Sequence, residues 1–291
     1  MALLHVVISG IAVGCIYALV ALGFVLIYKA TESINFAQGE LMMLGAFAGY
    51  ALVQLLGVPF VPAVVLAVLI VGLIGVAIER TVIRPILGQP QFSILMLTIG
   101  LGYFLRGSVT LTPPLGADTH VLPTPYKAQI LHFEGVALGM DQVVVIAATI
   151  VLCALLYAMF RYTKIGIAMQ ASSQNQLAAY YMGIPVNSLN GLVWGLSAAV
   201  AALAGLLLAP LTFVHVNMGF LGLKAFPAAV IGGLGSLPGA VLGGLLIGVV
   251  EALAGFYLPE GVKDIAAYVV VLLMLMIKPT GFFGEAQRKK V

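Results

Sequence analysis

The opening 28 residues, MALLHVVISGIAVGCIYALVALGFVLIY, contain no Asp, Glu, Lys or Arg. A helix needs about 20 consecutive apolar residues to cross a bilayer, so this run reads as a membrane span, and no other feature limits the fold as strongly. It lacks a basic start and runs too long before its first charge, at Lys29, to be a cleaved signal, so it is read as a retained first span. Similar runs predict helices near 4–28, 38–56, 61–79, 92–111, 141–160, 189–213 and 236–257, with a shorter one near 264–278. With 62 % apolar and 8 % charged residues, the chain cannot cover itself with a water-facing surface of ordinary polarity. The expectation is an all-α, polytopic membrane helix bundle of about 8–9 spans, with residues 1–291 forming one transmembrane domain.

A ninth element is needed between 220 and 235. LKAFPAAVIGGLG (223–235) is about half a span long and carries Pro227 and three glycines, so it is expected to be a broken or re-entrant helix. Broken helices at membrane depth need protein or a cavity around them.

Orientation is read from Lys and Arg, which favour the cytoplasmic side. Placing Lys29, Arg80, Arg84, Arg161, Lys164, Lys278, Arg288, Lys289 and Lys290 inside puts nine of the thirteen basic residues there. Arg106, Lys127, Lys224 and Lys263 then fall at or beyond the opposite face, with the N-terminus outside and the C-terminus cytoplasmic. In this arrangement 112–140 is the largest external loop. Pro113, Pro114, Pro123 and Pro125 deny it a long helix. It also holds Asp118, His120, His132 and Glu134, but the two histidines have no third ligand at metal spacing, so no metal site is assigned. A docking surface and a solvated connector are both open readings of this loop.

The polar stretch 161–188, RYTKIGIAMQASSQNQLAAYYMGIPVNS, then lies in the cytoplasm. Residues 171–182 are mostly helix formers, Gly183 is a natural left-handed stop, and Pro185 forbids continuation. Leu177 and Tyr181, four apart, give a short helix a small apolar face, while Ser172, Ser173, Gln174, Asn175 and Gln176 keep it wettable. Such a helix can dock in a partner's groove.

Within the spans, Gly10/Gly14, Gly45/Gly49, Gly191/Gly195, Gly235/Gly239/Gly243 and Gly244/Gly248 stand four apart and let helices approach closely. Cys15 and Cys153 lie in apolar runs and read as small buried hydrophobes. GGLGS from Gly232 superficially suggests a phosphate loop, but no Walker lysine follows, so no ATPase is expected in this chain. Polar groups at membrane depth are costly unless paired or facing water. Asn35, Gln38 and Glu40 lie between the first two spans, and Glu251 stands alone in LLIGVVEALAGF. Each reads either as lining a path or gate, or as structural: Asn35 and Gln38 satisfying backbone ends, Glu40 favouring a helix N-terminus, Glu251 pairing with a neighbour. Glu79 beside Arg80 reads as an interface anchor. No triad, metal cluster or close carboxylate pair supports an intramembrane enzyme, so no catalytic residue is assigned.

Six segments carry a family resemblance: GCIYALVALGFVLIYKATESINFAQGELMMLGAF (14–47), IERTVIRPI (78–86), LTIGL (97–101), AAYYMGI (178–184), LKAFPAAVIGGLGSLPGAVLGGLLIGVVE (223–251) and IKPTGFFG (277–284). Nearly end to end, the chain resembles branched-chain amino acid ABC-transporter permeases of the LivH type. The resemblance implies a multi-pass subunit of a bacterial inner-membrane importer, forming half of the pathway for branched-chain (hydrophobic) amino acids. It implies a second, LivM-like permease, two ATP-binding subunits that hold ATP and magnesium, and an external substrate-binding protein. This chain would carry no cofactor, and no nucleic-acid partner is expected.

In such importers a short cytoplasmic helix with a Glu-Ala-Ala, three residues, Gly pattern meets the ATPase. The matching stretch here is Leu177-Ala178-Ala179, Tyr180-Tyr181-Met182, Gly183, with Leu177 at the glutamate position. The resemblance thus marks Ala171, Gln174, Asn175, Leu177, Ala178, Ala179, Met182 and Gly183 for coupling. No Asp, Glu, Lys or Arg occurs between Lys164 and Lys224, so docking would rest on shape and neutral hydrogen bonds. For a zwitterionic cargo, broken-helix ends and an apolar wall are wanted, which marks Asn35, Gln38, Glu40, Phe226, Gly232, Gly233, Gly235 and Glu251 for the pathway. Urea and short-chain amide permeases resemble the same pattern, and the residues leave a homodimeric pore open. An ion-coupled secondary transporter using Glu40 or Glu251 as a proton or sodium site is the rival class.

Overall fold

The structure, a computed structural model, describes residues 2–116, 118–126, 129–133, 136–259 and 261–284. Lys127, Glu134, Arg288, Lys289 and Lys290 lie outside the described residues, as does the side chain of His132.

Two long helices form the centre. α1 (Ala2–Thr31) and α8 (Val186–Thr212) are buried over 89 % and 78 % of their most apolar stretches. Around them stand α3 (Phe60–Ile78, extended through a π turn and a 3-10 turn to Ile86), α4 (Gln91–Thr110) and α5 (Met140–Tyr162), each buried over less than a third of that length. Their outer faces present Val61, Leu69, Leu73, Phe104, Ile150 and Leu155. A continuous apolar surface of this kind suits lipid and would aggregate in water. With α11 (Leu237–Tyr257), six helices among the described residues are long and apolar enough to cross a membrane, and the chain is a polytopic helical membrane protein. α2 (Gln38–Tyr50, continued by a π turn to Leu55) and α12 (Val262–Ile277) are shorter.

Small residues decide which helices touch. α1 runs antiparallel along α11, where Gly10 and Gly14 face Gly244 and Gly248. A β-carbon on Gly14 would lie 2.9 Å from the Leu245 Cα, inside van der Waals contact, so only glycine permits this approach. Gly45 of α2 meets Ala202 of α8 in the same way. Of the glycines read in the sequence, Gly10/Gly14, Gly45/Gly49, Gly191/Gly195, Gly239/Gly243 and Gly244/Gly248 lie at such contacts, whereas Gly235 meets nothing among the described residues.

Three features depart from the sequence expectations. The 220–235 element is two helices, α9 (Met218–Leu223) and α10 (Ala225–Gly232), and the break falls at Lys224 instead of at Pro227 or the glycines. Pro227 sits in the first turn of α10, where its missing N–H costs nothing. The chain is not purely helical, because β1 (Ile130–Phe133) and β2 (Val136–Gly139) pair antiparallel, Ile130 opposite Gly139, in the proline-rich loop. The 161–188 stretch is α6 (Lys164–Gln174) and α7 (Gln176–Tyr181), bent at Asn175, not one helix over 171–182.

The proline-rich loop is tied down. His120 and Val214 exchange two backbone hydrogen bonds of 2.8 Å, joining it to the end of α8. The His120 ring stacks on Tyr50 at 4.4 Å between centroids, and its Nε2 lies 2.6 Å from the Leu115 carbonyl. Tyr126 packs edge-on against Phe60, and burial, aided by Asp141, pushes its hydroxyl up to about 12.

Candidate functional site

α1 ends at Thr31, and the chain turns at Glu32 (φ 53°) and runs back beside it. Gln38 then reaches Gly23, eight residues before the end of α1, so the return covers about 12 Å at 1.5 Å per residue. Backbone groups at that depth must be satisfied by protein. Asn35 Oδ1 accepts from Ala37 N at 3.0 Å, Thr98 Oγ1 accepts from Phe36 N at 3.2 Å, and Gln38 Nε2 donates to the Ser197 carbonyl at 3.3 Å. Ser197 Oγ donates to Gly23 O and also contacts Gln38 Oε1. Asn35 and Gln38 are both fully buried, and these bonds hold the returning segment so that α2 begins alongside Gly23, within about the last three turns of α1.

Glu40 lies in the first turn of α2, where a carboxylate suits the helix dipole, and forms an ion pair with Arg106. Arg106 is fifteen residues along α4, about 22 Å from its start. It therefore lies about one turn before the C-terminal end of α4. Its guanidinium also sits 4.0 Å over the ring of Phe220 on α9 and 5.9 Å from that of Tyr103. α9 closes over the carboxylate: Glu40 Oε2 occupies the space that a β-carbon on Gly219 would take. Glu40 Oε2 and Arg106 Nε are buried and have no hydrogen-bond partner among the described residues.

A second charged group lies at the break between α9 and α10. Lys224 Nζ donates to Asp264 of α12 at 2.6 Å and to Glu251 of α11 at 3.4 Å. Glu251 also accepts from the Tyr17 hydroxyl at 2.6 Å and is 3 % exposed. Glu251, alone among apolar neighbours in the sequence, thus has two partners, and Lys224 is shared between Glu251 and Asp264. α9 spans the two clusters, with Gly219 and Phe220 at one and Lys224 at the other.

The remaining pathway candidates divide. Phe226 is half-buried, with its ring 5.6 Å from those of Phe24 and Phe36. Gly232 packs on Gly239, and Gly233 (φ 97°) lies against Phe283 and Gly284, while Gly235 is exposed. Phe282 N and Phe283 N donate to the carbonyls of Ile231 and Gly232, so the 281–284 segment caps α10. Gly232 and Gly233 thus contact the 281–284 segment and not the Glu40–Arg106 pair, and Gly235 contacts neither.

The α6–α7 elbow is set by its caps. Thr163 Oγ1 accepts from Gly166 N and Asn175 Oδ1 from Ala178 N, each at 3.0 Å. Gly183 ends α7 with φ 81° as expected. Gln176 Nε2 donates to the Ala30 carbonyl at 2.6 Å, fixing the elbow to the end of α1. Ala179 faces inward, while Leu177, Tyr180, Tyr181 and Met182 are exposed, Met182 at 83 %. Ala171 is half-buried, Ala178 and Gln174 are exposed, and an open polar cleft of about 420 Å³ runs from Gln176 to Ser33, Gln91 and Asn187. Glu79 is fully buried and takes a bidentate pair from Arg84 at 2.7 and 3.1 Å, with Arg84 also donating to the Asn187 carbonyl. Its partner is Arg84, not the neighbouring Arg80.

The chain matches the family described as branched-chain amino acid transport system / permease component over residues 6–278. It is 32 % identical to the high-affinity branched-chain amino acid transport system permease protein LivH of Escherichia coli K12, covering 97 % of this chain and 96 % of that one. It is 33 % identical to the permease protein BraD of Pseudomonas aeruginosa, covering 99 % and 98 %, and 29 % identical to a probable LivH of Methanocaldococcus jannaschii, covering 93 % and 89 %. The solved structure of PsaBC from Streptococcus pneumoniae in complex with Fab shares the fold, with a TM-score of 0.52 at 17 % identity over 96 % of this chain and 92 % of that one. The chain accordingly belongs to the family of branched-chain amino acid transport system permease components.

Proposed function

We propose that this protein is the membrane-spanning permease subunit of an ABC importer in a bacterial inner membrane, carrying branched-chain amino acids. The observation that carries the coupling part is the α6–α7 elbow: a charge-free, capped corner that is bound to α1 through Gln176 and presents Leu177, Tyr180, Tyr181 and Met182 outward. An exposed apolar cluster on a polar loop marks a partner surface. Pressure on the elbow reaches α1, the central helix, directly through the Gln176–Ala30 bond.

In this reading two ATP-binding subunits, which hold the ATP and magnesium, seat on the elbows of this chain and of a second, LivM-like permease. Their closure moves α6–α7, and the bundle switches the side to which the cavity between the permeases faces. An external binding protein delivers the cargo. The pathway runs by the broken α9–α10 unit, with Glu40, Arg106 and Phe226 near it; Asn35 and Gln38 hold the returning segment in place. In this topology the N-terminus is outside and the C-terminus cytoplasmic, with α2 and α12 completing eight crossings and α9–α10 a ninth. The 112–140 loop is external and 161–188 cytoplasmic.

The test is purification of this chain from its native membrane. Two ATPase chains and a second permease should accompany it, and binding protein loaded with leucine or valine should stimulate ATP hydrolysis. Stimulation by urea-loaded binding protein alone would replace the amino acid with urea, and a chain that purifies alone would overturn the importer reading.

A further inference from the structure

The pair formed by Glu40 and Arg106 differs from an ordinary structural ion pair in three ways. Each partner keeps one buried polar atom without a hydrogen-bond partner among the described residues, Glu40 Oε2 and Arg106 Nε. Its cover on one side is α9, a six-residue helix that contributes Gly219 and Phe220. Beside it lie the rings of Phe220, 49 % exposed, and Tyr103, also exposed, while Phe36, four residues before Glu40, pairs with Phe226 of α10 at 5.6 Å between ring centroids. An apolar wall next to one cation and one anion at membrane depth is the complement of a hydrophobic α-amino acid, whose ammonium and carboxylate sit on a single carbon.

We propose that Arg106 and Glu40 are the recognition pair for the zwitterionic head of the cargo, and that α9 is the cover that must withdraw to admit it. This deepens the permease reading above and rests on it. In the closed arrangement the two side chains satisfy one another. When α9 withdraws, Gly219 uncovers Glu40 Oε2 for the cargo's ammonium, and Arg106 offers its free Nε edge to the carboxylate. The side chain of the cargo lies on Phe36, Phe220 and Phe226. Splitting a buried ion pair is strongly unfavourable unless both charges are replaced, and a zwitterion replaces both. A molecule with only one of the two charges leaves one partner stranded, so the pair selects for the zwitterion. A neutral cargo such as urea gains nothing from opening it.

The test uses the full importer in nanodiscs, with Cys15 and Cys153 replaced by alanine and the reporter Tyr103→Cys, read by the rate of maleimide labelling. Leucine should slow labelling by about ten-fold, while leucinamide and 4-methylpentanoate at equal concentration should not, since a charge-assisted hydrogen bond is worth roughly that factor or more. R106Q should abolish the protection. R106K, which keeps the charge but loses the planar fork, should weaken it. Equal protection by leucinamide or 4-methylpentanoate, full protection in R106Q, or no protection by leucine would each overturn the proposal. The same reporter is assayed for ATP-driven uptake from leucine-loaded binding protein. Uptake without protection refutes the recognition pair and leaves the permease reading standing, whereas no leucine uptake in the unsubstituted importer refutes both.

Discussion

Replacing Glu251 separates a carboxylate that holds structure from one that handles a coupling ion. Its carboxylate accepts from the Tyr17 hydroxyl at 2.6 Å and from Lys224 at 3.4 Å, and Lys224 keeps a shorter bond, 2.6 Å, to Asp264. Glu251→Gln leaves an acceptor for Tyr17 and removes only the longer of the two Lys224 contacts, a loss of about 1 kcal/mol. Glu251→Leu strands a buried hydroxyl, which alone costs about 1–3 kcal/mol, and with the weakened Lys224 contact the total is about 2–4 kcal/mol. Tyr17→Phe should behave as the other half of one interaction. Combined with Glu251→Leu it should cost less than the sum, by about 1–2 kcal/mol of coupling. The assay is thermal unfolding of the purified complex alongside ATP-driven uptake. Glu251→Gln as damaging as Glu251→Leu, or losses from Tyr17 and Glu251 that simply add, would refute the reasoning.

Three further expectations follow from other parts of the molecule. Gly248→Leu should prevent α1 and α11 from closing, because a β-carbon there already meets the Gly14 backbone, and overpacking a tight contact costs about 1–3 kcal/mol or more; size-exclusion of the complex should show aggregation, and a monodisperse profile would contradict this. Gly183→Val strains a position with φ 81° and Ala179→Trp displaces the inward face of α7, so each should cut uptake steeply while membrane insertion persists; normal uptake with normal assembly in either variant would remove α7 from the coupling role. In a cysteine-free background, impermeant thiol reagents added outside should label a cysteine at Thr119 and spare one at Gln174. Labelling at Gln174 in intact cells would reverse the topology.

Much of the fold could be read from periodicity and composition. The apolar runs mark the helices to within a few residues, and the glycines four apart mark where α1 meets α11 and α2 meets α8. Gly183 and Pro185 locate the end of α7 because a left-handed stop and a missing N–H act locally. The elbow at Asn175 was hidden, since the stretch on both sides favours helix and only the side-chain cap on Ala178 N distinguishes the break. The hairpin was hidden too, because four residues per strand carry too short a pattern to stand out from a proline-rich loop. The ionic clusters were the largest loss. Glu40 and Arg106 are 66 residues apart, and Tyr17 and Glu251 are 234 apart, distances at which no local pattern speaks. A signal was nevertheless present: an arginine inside the apolar run 92–111 and a lysine inside 220–235 each require a counter-charge at depth. Glu40, in the run 38–56, and Glu251, in the run 236–257, are acidic residues inside comparable runs.

The central claim is that ATP hydrolysis by partner chains, and not an ion gradient, drives uptake through this protein. Its most direct measurement is leucine uptake into proteoliposomes holding the complete complex, with leucine-loaded binding protein on the outer side of the permease, ATP supplied or withheld at the ATPase side, and proton and sodium gradients collapsed. The account predicts uptake that requires ATP, survives collapse of both gradients and persists in Glu251→Gln. Uptake that ignores ATP and vanishes with either gradient would contradict it, and would make Glu40 and Glu251 the ion-handling groups of a secondary transporter.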